Sequence, residues 1–277
     1  MNFKKQLSGI WYAWNQNKIA YVSSSLCGRQ LTTTKGTVRL KPDQDDAWFF
    51  ELAKHHQIIF DIGANVGYTA LLATIQDPNR VYLLVDPNPK ALAQANVNLL
   101  ENNLGFKALY YSAFVSNKLD EDMTFYTIGA GAAGSMYPEH AKSAAAVNSF
   151  KVVKTVTLDF LHMYYAIDPD LVKIDVEGAE ALVMQGATHL AKKTQCLFFI
   201  EMHAVEGLTM QENGRKILDW CQQNEYKAWY LKTGQILQDS ETIKQRGKCH
   251  LLLIPEDEPY PDYLTGIAER ADLPSHI

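Results

Sequence analysis

The sequence predicts an α/β fold: a doubly wound, mostly parallel sheet of about seven strands, with helices on both faces and a ligand site at the strands' carboxyl ends. Three observations predict it. From Gln57 to Pro255, short and continuously apolar runs alternate with longer segments of helical period, the βαβ pattern of strands buried on both faces. The first such strand runs into DIGANVG, where Gly63 and Gly67 permit a tight turn into a helix. The second, VYLLVD, ends in another acid, Asp86, one βα unit later.

Taken in order, residues 1–50 read as an N-terminal extension or cap, and residues 51–277 as the α/β domain. The extension has an aromatic start (Trp11, Tyr12, Trp14, Tyr21) expected to pack on a sheet edge, a Ser/Thr-rich middle, and a KPDQDD turn before the helical AWFFELAK. The domain opens with strand QIIFDI, helix YTALLATI, strand VYLLVD, helix PKALAQANVNLLENN and the run KALYYSAF. MTFYTI and SFKVVKTVTL alternate with period two and read as a β-rich insertion. The small-residue stretch between them, about residues 129–150, reads as a surface excursion placed to meet substrate. Strand DLVKID, helix GAEALVMQGATHLAKK, strand QCLFFIEMH, helix ENGRKILDWCQQN and the strands YKAWYL and KCHLLLIP complete the sheet.

Composition excludes several classes of function. Hydrophobic residues are 47% of the 277 and charged residues 21%, which suits a globular chain with a sizeable core. Lys plus Arg number 26 against 31 for Asp plus Glu, with no long basic run, so the electrostatic footprint of a nucleic-acid binder is missing. The four cysteines are widely spaced and read as reduced thiols. No apolar run has the roughly twenty residues of a membrane span, and no export signal is evident, so a cytoplasmic protein is expected.

The chemistry concentrates at the strand ends. In DIGANVG the glycines are four apart, not in the GxGxxG spacing of a dinucleotide site, and no Lys follows as in a phosphate loop. An NAD-dependent oxidoreductase is therefore the weaker reading. Asp61, just ahead of the turn, would repel a phosphate and favour a ligand with a cationic group. Asp86 stands where a carboxylate can accept hydrogen bonds from both hydroxyls of a ribose, with Pro87, Asn88 and Pro89 ending its strand.

FDIGANVGYTALLA, VDPNP, SAF, VTLDFL, KIDVEGAEALVMQGA and IEMH, in this order, resemble the FkbM family of S-adenosylmethionine-dependent methyltransferases over roughly residues 55 to 205. The resemblance implies a class I methyltransferase fold, a Rossmann-like sheet of seven strands with the last antiparallel. It implies S-adenosylmethionine as cofactor and a small-molecule or saccharide acceptor methylated on oxygen. By position it implies that Asp61, Gly63, Asn65 and Gly67 line the methionine end, with Tyr68 following them. It places Asp86, followed by Asn88, at the ribose, and Ser112 and Ala113 at the adenine edge.

Two further segments supply candidate catalytic groups. KIDVEGAE brings Asp175, Glu177 and Glu180 to a strand end and helix start. Asp175 and Glu177 are candidates to orient acceptor or sulfonium, and Glu180 reads as a partner of the helix dipole. IEMH places Glu201 and His203 two apart on one face, so Glu201 can orient His203, the expected base for a hydroxyl acceptor. Asp175, Glu177, Glu201 and His203 could also ligate a divalent cation, but transfer without a metal is the reading taken. An N- or protein methyltransferase, and a non-catalytic module of the same fold, remain as alternatives.

Overall fold

The computed structural model describes residues 20–39, 41–126, 136 and 150–277, and elements are numbered within these. The Ser/Thr-rich stretch, to which the sequence reading assigns no strands, is a hairpin of β1 (Tyr21–Leu26) and β2 (Arg29–Thr34), followed by helix α1 (Asp46–His55). β-branched Thr32, Thr33 and Thr34 suit the half-buried pleat. Of the N-terminal aromatics only Tyr21 falls among the described residues, and it is exposed.

The α/β domain begins with β3 (Ile58–Ile62), α2 (Tyr68–Thr74), β4 (Val81–Val85), α3 (Pro89–Leu100) and β5 (Ala108–Tyr111). The run KALYYSAF divides: β5 stays in the main sheet, while β6 (Phe114–Val115) joins β7 (Asp122–Tyr126) and β8 (Phe150–Val156) in a separate three-stranded sheet. That sheet is the expected β-rich insertion; apart from Met136 and Phe150, the excursion at 129–150 lies outside the described residues. Next come α4 (Leu158–Tyr165), β9 (Leu171–Ile174), α5 (Glu180–Gln185) and α6 (Thr188–Thr194). The single helix expected over the last two is broken at Gly186, where a Cβ would stand 2.4 Å from the Ser116 carbonyl oxygen. The chain finishes with β10 (Leu197–His203), α7 (Met210–Asn224), β11 (Tyr226–Tyr230), β12 (Gln235–Ile236) and β13 (Lys248–Pro255).

The main sheet has the order β5, β4, β3, β9, β10, β13, β11, β12. Pairing is parallel from β5 to β10, and β13 runs antiparallel to both β10 and β11. The seven expected strands are present, with the short β12 added as a hairpin partner of β11. From β3 the chain winds outward to β5 and then returns to the other side of β3 at β9, so the loops after β3 and β9 diverge over a crevice.

Period-two alternation sends Phe60, Ile62, Val172, Ile174, Phe198 and Ile200 to the core under α4 to α7. Ile59, Tyr82, Leu84, Leu171, Phe199 and Leu252 go to the core under α1 to α3. On that second face the strands end in buried polar groups: Asp61, Lys173, Glu201 and His250 each stand two residues from one of these apolar side chains. A rank of charge thus lies beneath the crevice. All four cysteines are buried and free, and no described helix is long and apolar enough to cross a membrane.

Candidate active site

The turn after β3 brings its backbone against the end of β9. Gly63 (φ 87°) lies so close that a Cβ would stand 1.8 Å from the Asp175 carbonyl oxygen, and Gly67 (φ 80°) packs on Ala95 of α3. Only glycine meets both demands at Gly63, a left-handed φ and no side chain. Gly63→Ala is expected to cost about 2–5 kcal/mol from overlap and backbone strain. Thermal unfolding should show the melting temperature lower by roughly 5–15 °C.

A cleft of about 210 Å³ opens over this turn. Gly63, Asn65 and Tyr68 form its floor, Asp86 and Asn88 one side, and Asp175 and Glu177 the opposite rim. Ala113, Phe114, Val115 and Phe125 make an apolar slot beyond Asp86. The Asp86 carboxylate accepts from the backbone N–H of Asn65 (2.9 Å) on one oxygen and of Asn88 (2.7 Å) on the other. Burial pushes this carboxyl up to about 6, against the two backbone donors that hold it down. Asn65 adopts φ 46°, and its side-chain Oδ1 is buried without a hydrogen-bond partner.

Other expected cofactor residues stand elsewhere. Asp61 is fully buried behind the cleft and does not line it, which corrects the expectation that it faces a cationic ligand. Its Oδ2 accepts from Thr69 Oγ1 (2.5 Å) and Tyr82 OH (2.8 Å), and Oδ1 lies 3.5 Å from Lys173 Nζ. The cation demanded by this acid belongs to the chain itself. Gly67 is taken up in helix packing rather than in the wall. Ser112 is exposed and outside the lining, because the chain turns from β5 to β6 there and sends Ala113 inward.

Lys173 was not anticipated, although a lysine in the apolar run LVKI is itself a signal, since buried lysines need partners. Its ammonium, 3% exposed, sits between Asp61 and Asp175, the latter at 3.4 Å. Burial opposes its charge, but Asp61 and then Asp175 hold its pKa above the ordinary lysine value. Asp175 is pushed up as well: burial first, then the neighbouring Glu201 carboxylate, raise it to about 8 in spite of Lys173.

Behind the rim, Glu180 is fully buried and is more than a partner of the helix dipole. It accepts from His203 Nδ1 (2.9 Å), Asn213 Nδ2 (2.9 Å) and the Gly178 N–H (2.9 Å). The other ring nitrogen of His203 lies 3.5 Å from Glu201 and 3.6 Å from Glu177. Burial favours the neutral ring, yet Glu180 and Glu201 hold its pKa well above the usual histidine value. The structure does not bring His203, read from the sequence as the base, or Glu201 into the lining of the cleft, and both ring nitrogens of His203 already face carboxylates. Glu201 does contact His203 as expected, and Lys248 Nζ also reaches it at 2.5 Å. Asp175, Glu177 and His203 place donor atoms within 4.8 Å of one another, a convergence that a divalent cation or the imidazolium itself can satisfy.

Removing Glu180 as Ala would take away the buried acceptor shared by His203 Nδ1, Asn213 Nδ2 and the Gly178 N–H, at a cost of about 3–5 kcal/mol. Glu180→Gln should cost less, because it keeps one acceptor oxygen. The stability that His203 draws from a raised pKa is fully present below about 6.5 and is lost as pH rises through the folded value. The margin in melting temperature between wild type and Glu180→Gln should therefore narrow as pH is raised above about 6.5.

The sequence model of the methyltransferase FkbM domain family matches residues 61–228, more than half of the chain. The chain belongs to the FkbM methyltransferase family. Among solved structures, methyltransferase FkbM from Methylobacillus flagellatus KT is similar at 12% identity and a TM-score of 0.44, over 79% of this chain. The present chain covers only 45% of that FkbM protein. TYW2 from P. horikoshii, in complex with MeSAdo, is 9% identical with a TM-score of 0.46, covering 91% of this chain and 81% of its own. An O-methyltransferase from Bacillus cereus, in complex with SAH, is 10% identical with a TM-score of 0.42, covering 90% and 88%. Comparison with curated proteins finds no match.

Within this FkbM domain, Gly63, Asn65, Tyr68, Asp86, Asn88, Ala113, Asp175 and Glu177 meet at one cleft. Thr37 and Arg39, also in its wall, precede the matched stretch and carry no motif from which sequence reading could have found them.

Proposed function

We propose that this chain is an S-adenosylmethionine-dependent O-methyltransferase that acts on a hydroxyl of a saccharide or small natural product. The observation that carries the reading is the placement of Asp86, Asn65 and Asp175 around one cleft at the carboxyl ends of β3, β4 and β9 in an FkbM domain. The cofactor fits what is there. Each Asp86 oxygen spends one lone pair on a backbone N–H and keeps another for a ribose hydroxyl. The partnerless Asn65 Oδ1 suits an ammonium or hydroxyl donor, and the slot of Ala113, Phe114, Val115 and Phe125 suits an adenine ring. When bound, the cofactor supplies a methyl group already activated by its sulfonium.

The protein's part is then to hold the acceptor in line, exclude water and take up one proton. Asp175, on the cleft rim and raised towards neutrality, is the residue we assign to that proton. Lys173, 3.4 Å away, steadies the carboxylate form, and Glu177 on the same rim accepts a second acceptor hydroxyl. His203 and Glu180 position this rim from behind, without meeting substrate.

The test is incubation with S-adenosylmethionine labelled in its methyl group and a panel of saccharides and polyhydroxylated small molecules, with products identified by mass. Label in a methyl ether is the expected result. Label on nitrogen or on protein would favour the alternative methyltransferases, and tight binding without transfer a non-catalytic module. Titration with the cofactor that gives no heat would end the reading.

A further inference from the structure

The strap before α1 is built into the wall of the cleft. Asn98, fully buried on α3, accepts from the Thr34 N–H (2.7 Å) and donates to Thr37 Oγ1 (2.9 Å) and to the Val66 carbonyl (2.9 Å). One side chain thereby fastens residues 34–37 to the glycine turn, and Arg39 enters the wall two residues later. Among the described lining residues the cations are Arg39 and Lys173, and Lys173 is 3% exposed between two acids. Arg39 is 38% exposed.

Its guanidinium is held in a fixed plane. Nη1 contacts Asp43 (3.1 Å) and Asp46 (3.3 Å), and the central carbon stands 4.7 Å over the Tyr68 ring, whose hydroxyl donates to Asp46. These contacts use Nη1 and the flat face, and no ion pair of the Nη2 and Nε edge is found among the described residues. A guanidinium edge is the donor geometry that matches a carboxylate with two parallel hydrogen bonds.

We propose that Arg39 binds the α-carboxylate at the amino-acid end of the cofactor, so that the extension outside the matched FkbM stretch completes the cofactor site. This rests on the reading of the cleft as an S-adenosylmethionine site. The surroundings define the ligand further. Asp43, Asp46, Asp86, Asp175 and Glu177 outnumber Arg39, Lys173 and Lys248, the last of these paired with Asp43, so a simple anion is repelled from this wall. A zwitterion that brings its own ammonium and sulfonium is accepted. The clamp therefore selects the complete amino-acid end over an adenosyl thioether that lacks it.

The test is calorimetric titration of the full chain with S-adenosylmethionine and with its decarboxylated analogue, for wild type, Arg39→Met and Arg39→Lys. Wild type is expected to bind the carboxylated ligand at least about tenfold more tightly. Arg39→Met should lose about 10–100-fold for that ligand, stay within about twofold for the analogue, and be partly restored in Arg39→Lys. Retained binding of the analogue also shows that the variant is folded. Equal affinity of wild type for the two ligands overturns the proposal, as does an equal loss for both in Arg39→Met, which would mark a structural strut. If wild type binds neither ligand, it is the cofactor reading that fails, and the Arg39 assignment with it.

Discussion

Asp175→Asn is expected to lower kcat by about 10²–10⁴-fold, the usual worth of a positioned general base, while the affinity for S-adenosylmethionine changes only a few-fold. Asparagine keeps the shape of the side chain and can still accept from Lys173, but it cannot take a proton. The pH profile separates this role from a structural one. In wild type the active form is the carboxylate, so kcat should climb as pH rises through about 8, where burial and Glu201 have put this group. In the variant that ascending limb should vanish. Steady-state rates, measured with the acceptor found by label transfer, check both points. Unchanged turnover would remove Asp175 from the proton's path, and a collapse of cofactor affinity would move it to the binding site.

Asp86→Ala is expected to weaken cofactor binding by about 10²-fold or more, because two hydrogen bonds to a charged acceptor, each contributing about 1.5–3 kcal/mol, are lost. The substitution also strands the backbone donors of Asn65 and Asn88, so Asp86→Asn is the cleaner partner experiment. The pH dependence has a definite sign. In the free protein burial raises Asp86 to about 6, and ribose hydroxyls donate to its ionised form. Affinity measured by calorimetry should therefore improve between pH 5 and 7 and then level off; in Asp86→Asn it should be flat. The ligand-free protein should show the converse. A carboxyl raised above its unfolded value of about 3.9 supports folding below that pH, and the support is lost as pH rises through about 6.

These two residues were legible in the sequence because each ends a strand, and strand ends are set by local pattern. An apolar run of period-two backbone stops at the first charged residue before a turn, and in this fold such stops gather at one edge of the sheet. Gly63 was legible for a similar reason, since a glycine in a four-residue turn signals a backbone that no other residue adopts cheaply. Asp61 shows where the same reasoning breaks. It is the penultimate residue of β3, and its side chain falls on the face covered by α1 to α3, where Thr69, Tyr82 and Lys173 satisfy it. Pattern assigned the acid to the cleft; one step along the pleat sent it inside.

His203 is the second instance. Spacing alone put it beside Glu201, and that contact is present at 3.5 Å. Its protonation depends also on Glu180, which reaches its other nitrogen from helix α5. Nothing within IEMH announces that partner.

The sequence by itself determined the alternation of core strands and helices from β3 onward, the glycine turn, and the acids that close β4 and β9, because these follow from side-chain period and backbone freedom within a few residues. Which acids meet in the cleft and which are paired beneath it were decided by the tertiary structure. A charge takes its energy from whatever lies within a few ångströms, and for Asp61, Asp175 and His203 those neighbours come from strands and helices far along the chain.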